Sequence, residues 1–347
     1  KRRGVAELLD FDIVRNTIPI NSVDVSLMLN DTIGFIKINR FSAKTTEEFN
    51  KASEKLLNSG MQKLIIDLRD NPGGYLSAAV NICDKLLNKG ELIVYTQGRM
   101  RDKNEIFSRR THKLEKTKVV VLINEGSASA SEIIAGAVQD NDRGTIIGRR
   151  SFGKGLVQEE IKMNDGSAIR LTTQRYYTPS GRSIQKNYEK NNEEYFLEQF
   201  QRNDTIFPDS LKYTTKKGRI VYGGGGIKPD INISRDTLLN FSVINKIIMK
   251  GWIRDFCMQY SDDNRDNVFK ITNSKEYLNR IQKIIFNQFI NYINRFDSNI
   301  TKDLKSNDIE FLEKQIIANI ARNIWSNEDY YRIILDNDEF ILKAYDN

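Results

Sequence analysis

The stretch Lys118-Val-Val-Val-Leu-Ile-Asn-Glu-Gly-Ser-Ala-Ser-Ala-Ser-Glu132 decides the fold. Its first six residues form a short apolar run rich in β-branched side chains, which reads as a strand buried on both faces. Asn124-Glu-Gly126 breaks the run, and the small residues from Ala130 to about Gln139 read as a helix. The same rhythm extends outward. Ile33–Ile38 and residues 64–68 are strand candidates, separated by a helical stripe of Phe49, Ala52, Leu56 and Leu57 that Gly60 closes. Thr45-Thr-Glu-Glu48 has the spacing of a capping box at the start of that helix. Helix signals resume over 76–87, and residues 92–95 and 145–147 are further strands. Strands alternating with helices imply a mainly parallel sheet with helices on its faces. Near 155–175 the rhythm changes to two strands flanking Asn164-Asp-Gly166, a hairpin signal.

Residues 1 to about 25 read as extended. From about 235 glycine becomes scarce, and Asn, Lys and Ile rise. Leu278, Ile281, Ile285, Phe289 and Tyr292 keep a helical phase, as do Leu312, Ile316, Ile317 and Ile320. This predicts a separate helical region. At 347 residues the chain is expected to hold two or three domains.

The residue inventory limits the chemistry. One histidine, His112, cannot build an HExxH zinc site or a His-rich metal centre. Two cysteines, Cys83 and Cys257, lie too far apart in sequence for a CxxC knuckle and are too few for a disulfide framework. The net charge of +7 comes from Lys and Arg interleaved with Asp and Glu, with no long basic block and no nucleic-acid motif. No run of 18 or more apolar residues suggests a membrane span. Hydrolytic chemistry here is therefore expected to use a base other than histidine. His112, in a charged stretch, reads as a surface loop residue.

Three places are suited to chemistry. A strand that turns sharply into a helix sets a side chain at the sheet's carboxyl edge, with free backbone N–H groups and the positive end of the helix dipole beside it. Ser127, Ser129 and Ser131 all lie in such a turn, and the residues alone do not choose among them; a helix cap is the plainer reading. Gly153-Lys154-Gly155 holds a lysine between glycines, where backbones can approach closely. A lysine serves as general base only when neutral, which requires burial or a neighbouring positive charge. Gln158, four residues on in an extended stretch, shares a face with Lys154 at period two. Asn71-Pro-Gly-Gly74 ends the strand 64–68 and can leave N–H groups pointing into a cleft. Asp67 and Asp70 read as caps of that turn rather than a glycosidase pair. Gly223-Gly-Gly-Gly226 lacks the Lys-Ser/Thr of a phosphate-binding loop, so phosphate binding is rejected.

These blocks occur together in order. Asp67-Leu-Arg-Asp-Asn-Pro-Gly-Gly74, Ser127-Ala-Ser-Ala-Ser-Glu132 running to Asp140, Phe152-Gly-Lys-Gly155 with Gln158, Arg175-Tyr-Tyr-Thr-Pro-Ser-Gly-Arg182 and Gly226-Ile-Lys-Pro-Asp230 resemble the carboxyl-terminal processing proteases, or tail-specific proteases, of peptidase family S41. The resemblance spans roughly residues 5–232. It implies an α/β protein: a ClpP/crotonase-like protease core with added β-strands, followed by an α-helical C-terminal domain. It implies a serine endopeptidase that cleaves proteins near apolar carboxyl termini, with Ser129 as nucleophile, Lys154 as general base and Gln158 positioning it. The implied oxyanion hole is the N–H of Ala130 with one from Gly73 or Gly74, and Asp140 supports the site without reacting. No cofactor and no metal are implied.

The resemblance divides the chain into 1–24, the last strand of a truncated PDZ domain and a linker; 25–234, the protease core; and 235–347, the helical domain. It implies a periplasmic or cell-envelope location, protein or peptide substrates with apolar carboxyl ends, no nucleic-acid partner, and oligomerisation or adaptor binding through the helical domain. The family's PDZ domain captures substrate termini by strand addition, and the lysine can be held away from the serine until it does so. Asp70 stands where the family commonly has glycine. Two other classes compete: a non-catalytic module binding apolar ligands or peptides on the same fold, and a crotonase-type acyl-CoA enzyme. The second gives Lys154 no role.

Overall fold

The computed structural model describes residues 7, 8, 10–16, 20–187, 208–235, 238–271 and 273–347. The chain runs through β1 (Val23–Met28), β2 (Ile33–Ile38), α1 (Thr45–Asn58), β3 (Lys63–Asp67), α2 (Leu76–Leu86), β4 (Leu92–Gly98) and β5 (Arg101–Phe107). It continues through β6 (Lys118–Ile123), α3 (Ala130–Asp140), β7 (Thr145–Gly148), β8 (Leu156–Lys162), β9 (Ala168–Tyr177), β10 (Lys212–Thr214), β11 (Ile220–Tyr222) and β12 (Ile231–Asn232). The main sheet has the order β1-β2-β3-β6-β7-β12. Its pairs are parallel except β1 with β2. Every residue of β2 is buried, and β6 is buried from Val119 on, as strands covered on both faces require. A second sheet, β5-β4-β9-β8, is antiparallel, and the hairpin at Asn164-Asp-Gly166 joins β8 to β9.

One face of the main sheet packs on α1, α2 and α3 through residues such as Ile36, Ile66, Val121, Phe49, Ile82 and Ile134. The other face is covered from the far end of the chain. After α4 (Phe241–Met249), α5 (Trp252–Val268), α6 (Ser274–Asn294) and α7 (Ser306–Ile324) come α8 (Asn327–Ile334) and α9 (Glu339–Asp346). Helices α4 to α7 share their own core around Phe256, Phe289, Leu312 and Ile316. Tyr331 and Leu335, with Phe340, Ile341 and Ala344 of α9, instead bury against Phe35, Ile65, Val120, Leu122 and Ile147 of the sheet. Each fully buried Leu, Ile or Phe among them contributes about 1.5–3 kcal/mol. The composition break near 235 is thus not a packing boundary. A parallel sheet with one bare apolar face needs a second layer, and the last two helices supply it.

Local departures have simple causes. The capping box at Thr45 does not form: Thr45 is the first helical residue, and its Oγ1 accepts from Ser42 N–H at 2.7 Å. The Glu48 carboxylate turns outward and accepts from the N–H groups of Ser22 (2.7 Å) and Val23 (2.9 Å), anchoring the start of β1. Of residues 1–24, those at 1–6, 9 and 17–19 lie outside the described residues; the described ones before Val23 form no strand, and Val23 opens β1 of the core sheet. Among the described residues, no helix is long and apolar enough to cross a membrane.

Candidate active site

The turn after β6 separates the three serines. Ser127 is fully buried, and its hydroxyl donates to the Leu68 carbonyl at 2.8 Å. Ser131 is fully buried, with its hydroxyl on the Asn71 carbonyl at 3.0 Å. Ser129 is half-buried, and among the described residues its hydroxyl donates to no carbonyl. It stands immediately before α3 with φ 55° and ψ −113°, a conformation a non-glycine residue rarely holds. Such strain costs about 1–3 kcal/mol and persists only where the surroundings fix it. The surroundings here are explicit. Ser129 N–H donates to Glu132 Oε2 at 2.8 Å, and Ser129 C=O accepts from the Tyr176 hydroxyl at 3.0 Å.

The same two side chains hold Lys154. Its N–H donates to Glu132 Oε2 at 2.9 Å, and its C=O accepts from Tyr176 at 2.6 Å. Gly153 N–H (2.7 Å) and the Ser151 hydroxyl (2.5 Å) complete four donors on one fully buried carboxylate. Burial pushes the Glu132 pKa up, and the four hydrogen bonds offset only part of that rise. Burial likewise pushes Tyr176 well above its ordinary value, keeping it a hydroxyl donor. The tetraglycine stretch explains itself here. A Cβ on Gly153 would come within 2.9 Å of Gly226 N, and one on Gly226 within 2.3 Å of Ser151 O. The glycines let residues 223–226 pack directly beneath the Lys154 loop.

Lys154 itself is half-buried. Among the described residues its ammonium has no hydrogen bond or carboxylate partner, and no hydrogen bond joins it to the Ser129 hydroxyl. Gln158 is exposed on the edge strand β8. Lys154 precedes the strand, and the register shift opposite Val157 and Gln158 puts the extra residue, Thr173, on β9. A groove of about 750 Å³, lined by Gln97, Gly98, Leu156, Thr172, Gln174 and Tyr177 among others, opens beside the start of β8.

The loop after β3 lies against Ser129. A Cβ on Gly73 (φ 97°) would come within 2.7 Å of Ser129 Cβ and 3.0 Å of Ala130 N, so only glycine fits. Gly73 N–H is engaged by Asn71 Oδ1 at 2.8 Å. The N–H groups of Gly74 and Ala130 have no acceptor among the described residues. Behind the loop, fully buried Asp67 accepts from Lys37 Nζ (3.2 Å) and from Arg69 Nη2 (2.7 Å). Burial alone would raise the Asp67 pKa, but Arg69 and Lys37 outweigh it and lower it to about 2. Asp67 and Asp70 do not act as a carboxylate pair. Asp70, at φ 59°, exchanges two 2.8 Å hydrogen bonds with the Asn124 amide.

Asp140 is at the other end of α3, roughly 16 Å from Ser129 at 1.5 Å rise per residue. It pairs with buried Arg182 at 2.7 Å and accepts from Ser180 N–H, fixing the 178–182 turn. His112 is half-buried rather than on the open surface, with Nε2 3.5 Å from the Asp84 carboxylate. No group of His, Cys, Asp or Glu among the described residues is arranged to hold a metal. Sequence reading missed Glu132, Tyr176, Lys37 and Arg69. The Ser-x-x-Glu spacing from Ser129 to Glu132, and a lysine in the otherwise apolar β2, were the available signals.

A strained serine between a buried parallel strand and a helix, with unengaged backbone donors beside it, is an arrangement suited to nucleophilic chemistry. Residues 32–194 match the model of peptidase family S41. A second model, a family of unknown function, matches residues 243–326. The carboxy-terminal-processing protease of Bartonella bacilliformis is 44% identical over 189 residues, covering 53% of this chain and 43% of that protein. The carboxy-terminal processing protease CtpB of Bacillus subtilis is 39% identical over 188 residues, covering 54% and 39%. A solved photosystem II D1 C-terminal processing protease is 27% identical with a TM-score of 0.46, covering 65% of this chain and 51% of that one. The match therefore spans about two fifths of these curated relatives' length.

Proposed function

We propose that this chain is a serine endopeptidase with a Ser129/Lys154 dyad, acting near the apolar carboxyl termini of cell-envelope proteins. The observation that carries the reading is the double tether: Glu132 holds both residues' N–H groups, and Tyr176 both carbonyls. Two main-chain positions from different segments are thereby held as neighbours. In the reaction, Ser129 Oγ attacks the peptide carbonyl while neutral Lys154 takes its proton. The tetrahedral oxyanion rests on the N–H groups of Ala130 and Gly74. Lys154 then gives the proton to the leaving amine, and water hydrolyses the acyl-enzyme. Gln158 orients the amine once Lys154 turns toward Ser129; the arrangement described above is the resting one. Carboxyl-terminal processing is supported by the names of the relatives; the apolar substrate ends and the envelope location rest on the motif resemblance alone.

The test is cleavage of a protein substrate with an apolar carboxyl end by Ser129→Ala and Lys154→Ala. Both are expected to lose at least about 10²-fold in rate. Undiminished cleavage by either contradicts the dyad.

A further inference from the structure

Helix α9 lies on the outer face of the sheet beside β7, with one end tied to the loop after β3 and the other to the start of that strand. At its start, Asp338 Oδ1 caps the helix by accepting from Phe340 N–H at 2.8 Å, while Oδ2 accepts from Arg69 Nη1 at 2.7 Å. The Arg69 guanidinium also stacks on Phe340, 4.6 Å from its ring centre. At its finish, Lys63 Nζ, at the beginning of β3, donates to the carbonyls of Ala344 (3.2 Å) and Tyr345 (3.0 Å). A carboxylate at the helix N-terminus and an ammonium at its C-terminus both suit the helix dipole.

Arg69 is the first residue of the loop that reaches Gly73 and Gly74. Its guanidinium also grips Asp67, and its carbonyl accepts from Lys37 Nζ at 2.5 Å. Lys37, Arg69, Asp67 and Asp338 form a charge-balanced cluster with side chains 2–16% exposed. Removing Asp338 leaves one positive charge in excess in a poorly hydrated place, directly under the loop.

We propose that α9 is a clamp on the 69–74 loop, and that Asp338, acting through Arg69, is a positioning residue for the oxyanion-binding N–H groups. This rests on the peptidase reading for its catalytic consequence, though not for the clamp itself. Backbone donors stabilise an oxyanion only when held in place beforehand, so loosening the loop lowers kcat and leaves substrate binding largely intact.

The experiment uses the full chain with Asp338→Asn, Asp338→Glu and Lys63→Met. Asn keeps an oxygen for the helix cap but loses the charge that faces Arg69. Lys63→Met loosens the other end of α9. Hydrogen exchange of the amides in 69–75 reads the clamp without substrate. It is expected to quicken about tenfold in Asp338→Asn and to stay unchanged in Lys63→Met. On a peptide substrate, Asp338→Asn is expected to lower kcat about 10- to 100-fold with KM within about twofold, and Asp338→Glu to recover most of it. Lys63→Met lowers the melting temperature alone. Unchanged exchange in Asp338→Asn overturns the clamp. Faster exchange with wild-type kcat overturns the positioning role. Equal kcat losses in Asp338→Asn and Lys63→Met at equal loss of melting temperature also overturn it. Faster exchange in a chain whose wild type cleaves nothing supports the clamp and overturns the peptidase reading instead.

Discussion

Ser129 and Lys154 are joined through their main chains. Both donate an N–H to Glu132 Oε2, and both offer a carbonyl to the Tyr176 hydroxyl. The strained φ of Ser129 and the placement of a lysine from another segment therefore share one cause. A buried carboxylate with four donors is costly to bury, and it serves by over-determining a conformation that neither residue would hold alone.

Removing either tether separates the two residues. Glu132→Gln offers one acceptor oxygen and an NH2 group to four donors, so at least one buried donor is left facing another. A loss of about 1–3 kcal/mol in unfolding free energy and at least about tenfold in kcat is expected. Tyr176→Phe takes away the donor to the Lys154 carbonyl, while Ser129 C=O keeps the Glu132 and Ile133 N–H groups; the loss is expected to lie in the same range. Denaturant titration together with single-turnover cleavage checks both; wild-type turnover in either variant contradicts the tether.

Gly73→Ala places a methyl group 2.7 Å from Ser129 Cβ and 3.0 Å from Ala130 N, at a φ of 97°. The loop must withdraw from the serine. The chain is expected to fold, with a lower melting temperature, and to lose about 10²-fold or more in kcat, as when an oxyanion donor is lost. Circular dichroism and steady-state kinetics on the same preparation separate the two effects. Retained turnover would place the oxyanion donors elsewhere.

Asp67 gives the acid limb of stability. Its folded pKa of about 2 is below the ordinary value of 3.8, so its stabilising contribution is complete above the ordinary value and is lost as pH falls toward 2. The depression corresponds to about 2 kcal/mol. Unfolding free energy measured from pH 5 to pH 2 is expected to fall more steeply in wild type than in Asp67→Asn. Parallel curves would show that Lys37 and Arg69 do not hold the carboxylate.

His112 has no part in this chemistry. His112→Ala is expected to leave kcat within about twofold, since a change outside the reacting groups moves the barrier little. A chelator is expected to leave the rate unchanged. Loss of activity with the chelator would require a metal that the account does not use.

The sheet and its helices were legible because buried strands and amphipathic helices write their periods directly into the sequence. β6, β3, α1 and α3 fall within a residue or two of expectation. Edge strand β5, Arg101–Phe107, was not legible, because its exposed charged residues carry no apolar alternation. The helical phase of 235–347 predicted helices but not their partner: a stripe says that a face is buried, not against what. Hence the docking of α8 and α9 on the sheet was missed. The site shows the same limit. Ser129 and Lys154 are carried by local motifs. Glu132, Tyr176 and the Arg69–Asp338 pair act through contacts between distant segments, which spacing does not encode.

The central claim is that Ser129 is a nucleophile activated by Lys154. A fluorophosphonate probe with peptide mass mapping tests it most directly, on the wild-type chain and on Lys154→Ala. The account predicts one adduct, on Ser129, formed at least about 10²-fold more slowly without Lys154. An adduct on another serine, or equal labelling of Ser129 in both chains, would contradict it.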